Sequence, residues 1–334
     1  MQPKYREFSD WTGGTEMKEL LSFLKPIIEQ FVRYRVASEN WCPTYEDCIR
    51  SFDKFCKEQY PERTELKQDM INCWCMIRQT ESPTSRNTRI RVIRAFIKYL
   101  QERSLSVVKP PEFIKEIPSG YIPHSFSHKE LSDFFHASDS LKPMNRTINS
   151  QARVWTVPVF FRLLYSSGIR TCEARLLLKE NVDFNEGVLS ITNSKGPHQH
   201  FVVLHDSMLA LMVSYDREIS FLVPNRKFFF PNGQDDYLSR AWVQYNFNAL
   251  WKGCGFEHST PYELRHHYAV ENINGWIGDP KFDSKFYYLS KSMGHTILES
   301  TCYYYSLVPK MANILQEINE ESFNSIIPEV VDNE

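Results

Sequence analysis

The sequence of 334 residues has no continuous apolar run long enough to cross a membrane. Its polar start, Met1 to Arg6, lacks the apolar segment of a secretory signal peptide. The eight cysteines form no paired Cys-x-x-Cys spacing and no cluster with histidine, and Cys73 and Cys75 are too close for a zinc knuckle. These absences argue against membrane, secreted and zinc proteins. We therefore expect reduced thiols, no metal, no cofactor and a cytoplasmic location.

A strong excess of basic residues is also missing. The 39 lysines and arginines face 41 aspartates and glutamates, which leaves a net charge of -2. Charge alone therefore gives little support to nucleic-acid binding. The distribution is uneven, however, because residues 1–125 carry three more basic than acidic residues and the remainder five more acidic than basic. A basic N-terminal face on this weakly charged protein is compatible with DNA binding.

Length and composition predict two domains. A chain of 334 residues is long for one core, and its 42% hydrophobic and 14% aromatic residues are enough to bury two. Residues 109–126 contain four prolines and one glycine, which is typical of a linker. We predict an N-terminal domain over residues 1–108, a linker over 109–126 and a second domain over 127–334.

Apolar residues at helical spacing predict four helices in the first domain. These cover residues 17–36 with a break at Pro26, residues 45–60, residues 66–79 and a final helix capped by Ser85. The final helix lies in a basic stretch, since residues 78–103 contain seven basic and two acidic residues. Such a stripe is usually a solvent-exposed face. It also suits contacts with DNA phosphates, for which the candidates are Arg86, Arg89, Arg91, Arg94 and Lys98.

The second domain is predicted to be helical around a small β-hairpin. Ser127 and Glu130 form a capping-box pattern that marks a helix start, and residues 154–166 are apolar nearly all round, which predicts a buried helix. Short strands are predicted between Val182 and Leu204, on both sides of a Ser-Lys-Gly-Pro turn. The predicted fold class is therefore mainly α with a small antiparallel β-sheet.

Another helix start is predicted at Thr260. Pro261 suits the first helical position and Glu263 completes a capping box. Arg265 then lies about one turn into the helix, where free N–H groups and the positive end of the helix dipole favour an anion. Arg265 is a candidate phosphate ligand for this reason, although a surface ion pair explains it equally well.

His295 and Tyr304 are nine residues apart, so an unbroken helix would place them on opposite faces. A site shared by both requires a turn between them, with Ser300 or Thr301 as the cap of a new helix. Tyr304 is the middle of three consecutive tyrosines, and only one of the three can point at a given spot. Packing is the ordinary role of such a run.

The segment Tyr165 to Leu176, with Gly-Ile-Arg-Thr-Cys-Glu-Ala-Arg inside it, resembles the first arginine box of the tyrosine recombinases, the phage integrase family. That family continues with a lysine in a hairpin turn, a His-x-x-Arg box, a Gly-His pair and a tyrosine nine residues after that histidine. The matching residues here, in that order, are Lys195, Arg265, His295 and Tyr304. The resemblance covers Ser127 to Pro309 well and the N-terminal part more loosely.

The resemblance implies a site-specific DNA recombinase that cleaves and rejoins strands through a covalent 3′-phosphotyrosine, without ATP or metal. Arg170 and Arg265 would bind the phosphate, and His295 would add a hydrogen bond to it. Lys195 would be the general acid and Tyr304 the nucleophile.

Two features depart from the family pattern. Tyr262 stands where the His-x-x-Arg box has its histidine, so the general base that the family proposes is missing or replaced. Residues 276–285 lengthen the span between the second arginine and the Gly-His pair. The resemblance also implies that Glu173 orients Arg170. His266 follows Arg265 and points about 100° away on the helix, so we expect it to support the fold and not to act as the base.

The implied partner is double-stranded DNA with inverted core sites, clamped between a four-helix core-binding domain and the catalytic domain. Self-association into a synaptic tetramer is also implied. An amphipathic stripe over residues 311–327 suits a tail helix that packs on its own domain or on a neighbouring subunit.

Two alternative functions stay open. One is a type IB topoisomerase, which shares the chemistry but acts as a monomer. The other is a non-catalytic DNA-binding protein that kept the fold, to which Tyr262 points.

Overall fold

The computed structural model describes residues 19–115, 121, 123–192, 199–233 and 236–305. The chain divides into two compact units, Met1–Gly120 and Tyr121–Glu334. Within the described ranges, no helix combines the length and the apolarity that a membrane span requires. Lys195 and the stripe over residues 311–327 lie outside the described residues.

The described part of the first unit contains four helices, α1 (Lys25–Ala37), α2 (Pro43–Gln59), α3 (Gln68–Trp74) and α4 (Pro83–Gln101). The predicted break at Pro26 is wrong. Pro26 lies in the first turn of α1, where its missing N–H costs no helical hydrogen bond. The predicted cap of α4 is also wrong by three residues, because the Ser82 hydroxyl accepts the N–H of Ser85.

Aromatic side chains join the four helices of the first unit. Phe31 of α1 and Phe52 of α2 are fully buried, and both contact Phe96 of α4 edge to face. Trp74 of α3 contacts Phe52 in the same manner, at 5.4 Å between ring centroids. Because aromatic rings bury large areas and prefer such edge contacts, this cluster ties every helix into one core.

The predicted linker over residues 109–126 is too long at both ends. The backbone N–H of Lys109 donates to Gln68, and that of Ile114 donates to Asn87, so the start of this stretch packs on the first unit. At its other end, Phe126 is buried in the core of the second unit. Proline cannot donate a hydrogen bond, but its neighbours can, and a proline-rich segment is therefore able to pack along a domain.

The described part of the second unit is mainly helical with one small antiparallel sheet, as predicted. Its helices are α5 (His128–Asp139), α6 (Ile148–Ser167), α7 (Thr171–Arg175), α8 (Asp206–Leu222), α9 (Arg240–Gly253), α10 (Glu263–Trp276), α11 (Phe282–Ser292) and α12 (Glu299–Tyr305), and a 3₁₀ turn covers Lys179–Asn181. The strands β1 (Val182–Asp183), β2 (Val188–Ile191) and β3 (His200–Val203) pair in the order β1-β2-β3.

Two local signals are confirmed in this unit. Ser127 and Glu130 form the predicted capping box at the start of α5. In the hairpin, buried Leu189 of β2 pairs with buried Val202 of β3. Both signals act between residues that are close in sequence or across one turn, so they do not depend on the rest of the fold.

Helix α6 is central in the second unit, where it packs against α8 and α10. It ends at Gly168, whose φ of 62° is left-handed. A Cβ at this position would lie 2.3 Å from the ring of Tyr268 in α10, so only glycine fits. This turn leads the chain directly to Arg170.

Candidate active site

Arg265 lies in the first turn of α10 and is only 1% exposed. Its guanidinium donates to the carbonyl of Gly168 at 2.5 Å and to that of Met293 at 2.8 Å, which joins the ends of α6 and α11. Among the described residues, no carboxylate forms an ion pair with Arg265, and its Nε–H has no hydrogen-bond partner. A buried cation without a counter-ion is energetically costly. The site is therefore suited to an anion.

The helix that carries Arg265 begins at Glu263, not at Thr260 as predicted. Tyr262 is the residue before the helix and makes no side-chain cap. Of the predicted capping box only the carboxylate half is present, because the Thr260 N–H donates to Glu263 at 2.5 Å. Pro261 and Tyr262 form a turn that leads into the helix.

Arg170, the residue directly before α7, belongs to the same site as Arg265. Its Nη1 donates to Glu173 at 2.6 Å and its Nη2 to the carbonyl of Gly294 at 2.8 Å, while the Glu173 side chain is fully buried. Gly294 has a φ of 65°, and a Cβ there would lie 2.9 Å from Arg170 Nη1 and 2.6 Å from His200. Glycine at this position therefore permits the close approach of the arginine.

His295 follows Gly294 and contacts the second arginine. Its Nε2 accepts a hydrogen bond from Arg265 at 2.9 Å, and its Nδ1 lies 2.7 Å from the Thr301 hydroxyl. Burial, Arg265 and Arg170 lower the pKa of His295 to about 4, so the ring is neutral at neutral pH. Because Nε2 faces a donor, the ring proton belongs on Nδ1. Thr301 thus orients the histidine and is not a helix cap, since α12 begins at Glu299.

This contact predicts a pH dependence of stability. The pKa of His295 is below its unfolded value of 6.5, so the unfolded chain takes up this proton first. The contribution of His295 to the free energy of unfolding is therefore fully present above about pH 6.5 and is lost as the pH falls towards 4. We expect the melting temperature to fall over this range, and to fall less in His295→Gln. Equal pH slopes for the two proteins in differential scanning calorimetry would contradict the assignment.

Tyr304 is buried against two histidines. It is 3% exposed, whereas its neighbour Tyr303 is 45% exposed. The ring of Tyr304 stacks on His295 with an interplanar angle of 8° and contacts His266 at 5.2 Å between centroids. The turn between α11 and α12 brings His295 to this face, as a shared site requires.

The hydroxyl of Tyr304 interacts with the Arg265 guanidinium and with the hydroxyl of Tyr262. Burial raises the pKa of Tyr304, and Arg265 partly opposes that rise. Tyr262 is 45% exposed, so it borders both the buried phenol and solvent. His266 packs between the two tyrosines, and burial lowers its pKa, which keeps the ring neutral.

His200 also belongs to this site, and the sequence analysis missed it. Its Nε2 lies 3.7 Å from Glu173, and neither ring nitrogen has a hydrogen-bond partner among the described residues. Burial lowers the pKa of His200, although the Glu173 carboxylate opposes this effect. Alternation along β3 places position 200 on the same buried face as Val202, and this pattern is the signal that could have identified it.

The structure thus brings Arg170, Arg265, His295 and Tyr304 together from four separate segments. Around them lie Tyr262, Glu173, His266 and His200. The two arginines and Glu173 give this cluster one net positive charge when its histidines are neutral, and that charge matches one phosphodiester anion. Lys195, the remaining predicted member, falls in a part of the chain that the structure does not describe.

The predicted DNA contact at Arg89 is wrong. Arg89 is 9% exposed, and its guanidinium forms an ion pair with Glu81 at 2.6 Å. It also donates to the carbonyls of Trp74 and Met76. These bonds tie α4 to the end of α3, and a phosphate cannot reach the buried group.

The other four basic residues of α4 differ in exposure. Arg86 and Arg94 are half-buried and donate to backbone carbonyls at Cys75, Glu112 and Pro111 of their own unit. Arg91 and Lys98 are exposed and lie two turns apart on one face of the helix. Of the predicted DNA contacts, these two have the greatest access to a phosphate.

The sequence model of the phage integrase family matches residues 125–310. A Sinorhizobium fredii protein with the provisional name integrase/recombinase y4rE is 27% identical over 230 residues, 66% of this chain and 72% of that protein. The tyrosine recombinase XerC of Staphylococcus saprophyticus is 22% identical over 245 residues, 71% of this chain and 78% of that protein.

Two solved structures share the fold. The XerH site-specific recombinase bound to palindromic difH, in a post-cleavage complex, has a TM-score of 0.60 at 15% identity, over 83% of this chain and 79% of that chain. A lambda integrase tetramer bound to a Holliday junction has a TM-score of 0.57 at 13% identity, over 85% of this chain and 78% of that chain.

Proposed function

Because the chain belongs to the phage integrase family, we propose that it cleaves and rejoins DNA at specific sites as a tyrosine recombinase. The observation that carries the mechanism is the uncompensated buried charge of Arg265 beside the buried phenol of Tyr304. A phosphodiester would supply a counter-ion for Arg265 and place its phosphorus next to the nucleophile. A surface ion pair for Arg265 does not fit its burial.

In the proposed reaction the Tyr304 oxygen attacks phosphorus and the bond to the 5′-oxygen breaks. The resulting 3′-phosphotyrosine conserves the bond energy until a DNA 5′-hydroxyl attacks it, so ATP is not needed. Negative charge on the nonbridging oxygens is met by the paired donors of Arg170 and Arg265. Lys195 would give its proton to the leaving 5′-oxygen. The arginines supply the charge stabilisation for which many nucleases use a metal.

Three contacts bear on these roles. Glu173 holds Arg170 through a buried ion pair, which restricts the guanidinium to one orientation. His295 Nε2 accepts a hydrogen bond from Arg265. For Nε2 to donate to the phosphate instead, it must give up this bond and the ring proton must move from Nδ1 to Nε2. His266 supports the ring of Tyr304 and is not in a position of high basicity, since burial lowers its pKa.

We further propose that the four helices of the first unit hold duplex DNA and that the two units form a clamp around it. The proposed substrate has inverted core sites, and two such duplexes would meet in a synaptic tetramer. The lambda integrase tetramer bound to a Holliday junction supports the tetrameric assembly. Residues 311–327 are the proposed contact between neighbouring subunits. The support for these points is family membership and the exposed basic residues of α4. A cytoplasmic location remains part of the proposal.

The proposed function is tested by trapping the covalent intermediate. The recombination site is first identified by sequencing DNA fragments bound to the protein in its host. A nicked duplex with that site should then give an adduct that survives denaturation, and it should form in EDTA. Binding without any adduct would favour a non-catalytic DNA-binding protein. Relaxation of plasmids that lack the site would favour a topoisomerase.

Arg91 and Arg89 provide a matched pair for the DNA interface. Arg91→Ala should weaken DNA binding and lower the salt slope by about one counterion, because it removes one exposed phosphate contact. Its melting temperature should not change. Arg89→Ala should destabilise the fold by about 3 kcal/mol, because it leaves the mostly covered Glu81 carboxylate, 11% exposed, without its partner. The assignment fails if Arg89→Ala melts like the wild type or if Arg91→Ala binds DNA with an unchanged salt slope.

A further inference from the structure

Glu263 receives hydrogen bonds from four donors at the start of α10. Its Oε1 accepts the hydroxyl of Tyr121 and the N–H of His124, and its Oε2 accepts the hydroxyl of Ser259 and the N–H of Thr260. The residue is 2% exposed, and no basic side chain forms an ion pair with it among the described residues. Burial alone would raise the pKa of Glu263, but these hydrogen bonds hold it below its usual value. The carboxylate is therefore charged.

The four donors come from two segments with different roles. Ser259 and Thr260 belong to the turn that carries Tyr262, the residue next to the nucleophile. Tyr121 and His124 belong to the first residues of the second unit, directly after its boundary at Gly120. One buried carboxylate thus joins the beginning of the unit to the helix of Arg265.

Tyr121 is also close to the nucleophile helix. Desolvation of its hydroxyl, the Glu263 carboxylate and, to a smaller extent, Tyr303 raise the pKa of Tyr121 to about 12. The phenol is therefore protonated and remains a donor at physiological pH. Its ring is 54% exposed, so loss of the hydroxyl would leave no cavity.

We infer that Glu263 and Tyr121 are positioning residues of the proposed cleavage reaction, which hold the turn of Tyr262 and the first turn of α10 in register with Tyr304. Neither residue touches the reacting atoms. They act because an error of about 1 Å in the placement of a reacting group costs on the order of 10²-fold in rate. This inference rests on the proposed function.

The test compares single-turnover adduct formation on saturating nicked DNA with DNA affinity and melting temperature. Glu263→Gln keeps the shape but cannot accept from all four donors, and we expect the rate to fall about 10²-fold. Tyr121→Phe removes one donor, and we expect about a tenfold loss. Glu263→Asp keeps the charge and should recover part of the rate lost in Glu263→Gln. DNA affinity should stay within about twofold in all three variants.

Glu130→Gln is the matched control. Glu130 accepts hydrogen bonds from Ser127 and from the ring of His124, so it anchors the same segment, and none of these bonds involves α10. It should lower the melting temperature and leave the adduct rate unchanged. The positioning role would be overturned if the adduct rate fell in proportion to the melting temperature in both Glu263→Gln and Glu130→Gln. It would also be overturned if Tyr121→Phe formed the adduct at the wild-type rate. If the wild type forms no adduct, the proposed function is wrong and the positioning role falls with it. If the wild type forms the adduct and the variants behave as the control does, only the positioning role is wrong.

Discussion

Replacement of Tyr304 by phenylalanine should abolish the covalent adduct with nicked DNA, with a loss of at least about 10⁴-fold in rate. The change removes only the attacking oxygen. The ring keeps its place between His295 and His266, so the melting temperature and the DNA affinity should remain near those of the wild type. Mass spectrometry of the peptide that stays attached to DNA checks the site directly.

Tyr303→Phe is the control for this result. Tyr303 is 45% exposed and diverges from the buried neighbour by about 100° around the helix. It should form the adduct at a rate close to that of the wild type. An adduct that persists in Tyr304→Phe but disappears in Tyr303→Phe would move the nucleophile. An adduct that survives substitution of all three tyrosines would end the mechanism.

Replacement of Arg265 by methionine should lower the rate of adduct formation by about 10³-fold or more, because charge stabilisation in phosphoryl transfer rests on such arginines. The substitution should lower the stability of the fold less than is usual for a buried residue. The variant loses the hydrogen bonds to Gly168 and Met293, but it also removes a buried cation for which the described part of the chain provides no carboxylate partner. The lost hydrogen bonds lower the stability and the removal of the unpaired charge raises it, so the net change is small. Substitution of Arg89, in contrast, should clearly destabilise the fold.

Anion binding gives an independent measurement of the same charge. Sulfate should raise the melting temperature of the wild type by binding beside the Arg265 guanidinium, as expected for a ligand that binds only the folded state. The rise should be smaller in Arg265→Met, in which only the general stabilising effect of sulfate on proteins remains. Chloride at equal ionic strength serves as the control. Equal responses of the two proteins would show that Arg265 does not bind an anion.

Arg265→Lys separates charge from geometry. Lysine retains one positive charge but lacks the planar set of donors that binds the carbonyls of Gly168 and Met293 and that we propose to bind the phosphate. We expect it to recover part of the sulfate effect and little of the adduct rate. Full recovery of the rate would mean that the charge alone matters.

Sequence patterns predicted the elements of this fold better than their boundaries. The mainly helical class, the small antiparallel sheet and the capping box at Ser127 follow from periodicity and local hydrogen bonding. The errors lie at Pro26, Ser85 and Thr260. Helices α1 and α10 begin without a side-chain cap, and α4 is capped by Ser82, three residues before Ser85. The first residue of a helix therefore depends on the packing of its first turn as well as on nearby capping residues.

The sequence by itself determined the fold class and, through the order of its motifs, the set of Arg170, Arg265, His295 and Tyr304 as one candidate site. Only the tertiary structure decided which charges are buried and what each one contacts. Arg89 and Arg265 look alike in sequence, yet one is paired with Glu81 and the other has no carboxylate partner among the residues that the structure describes. The physical reason is that burial and ion pairing depend on residues far apart in the chain, whereas helix spacing and capping depend on near neighbours.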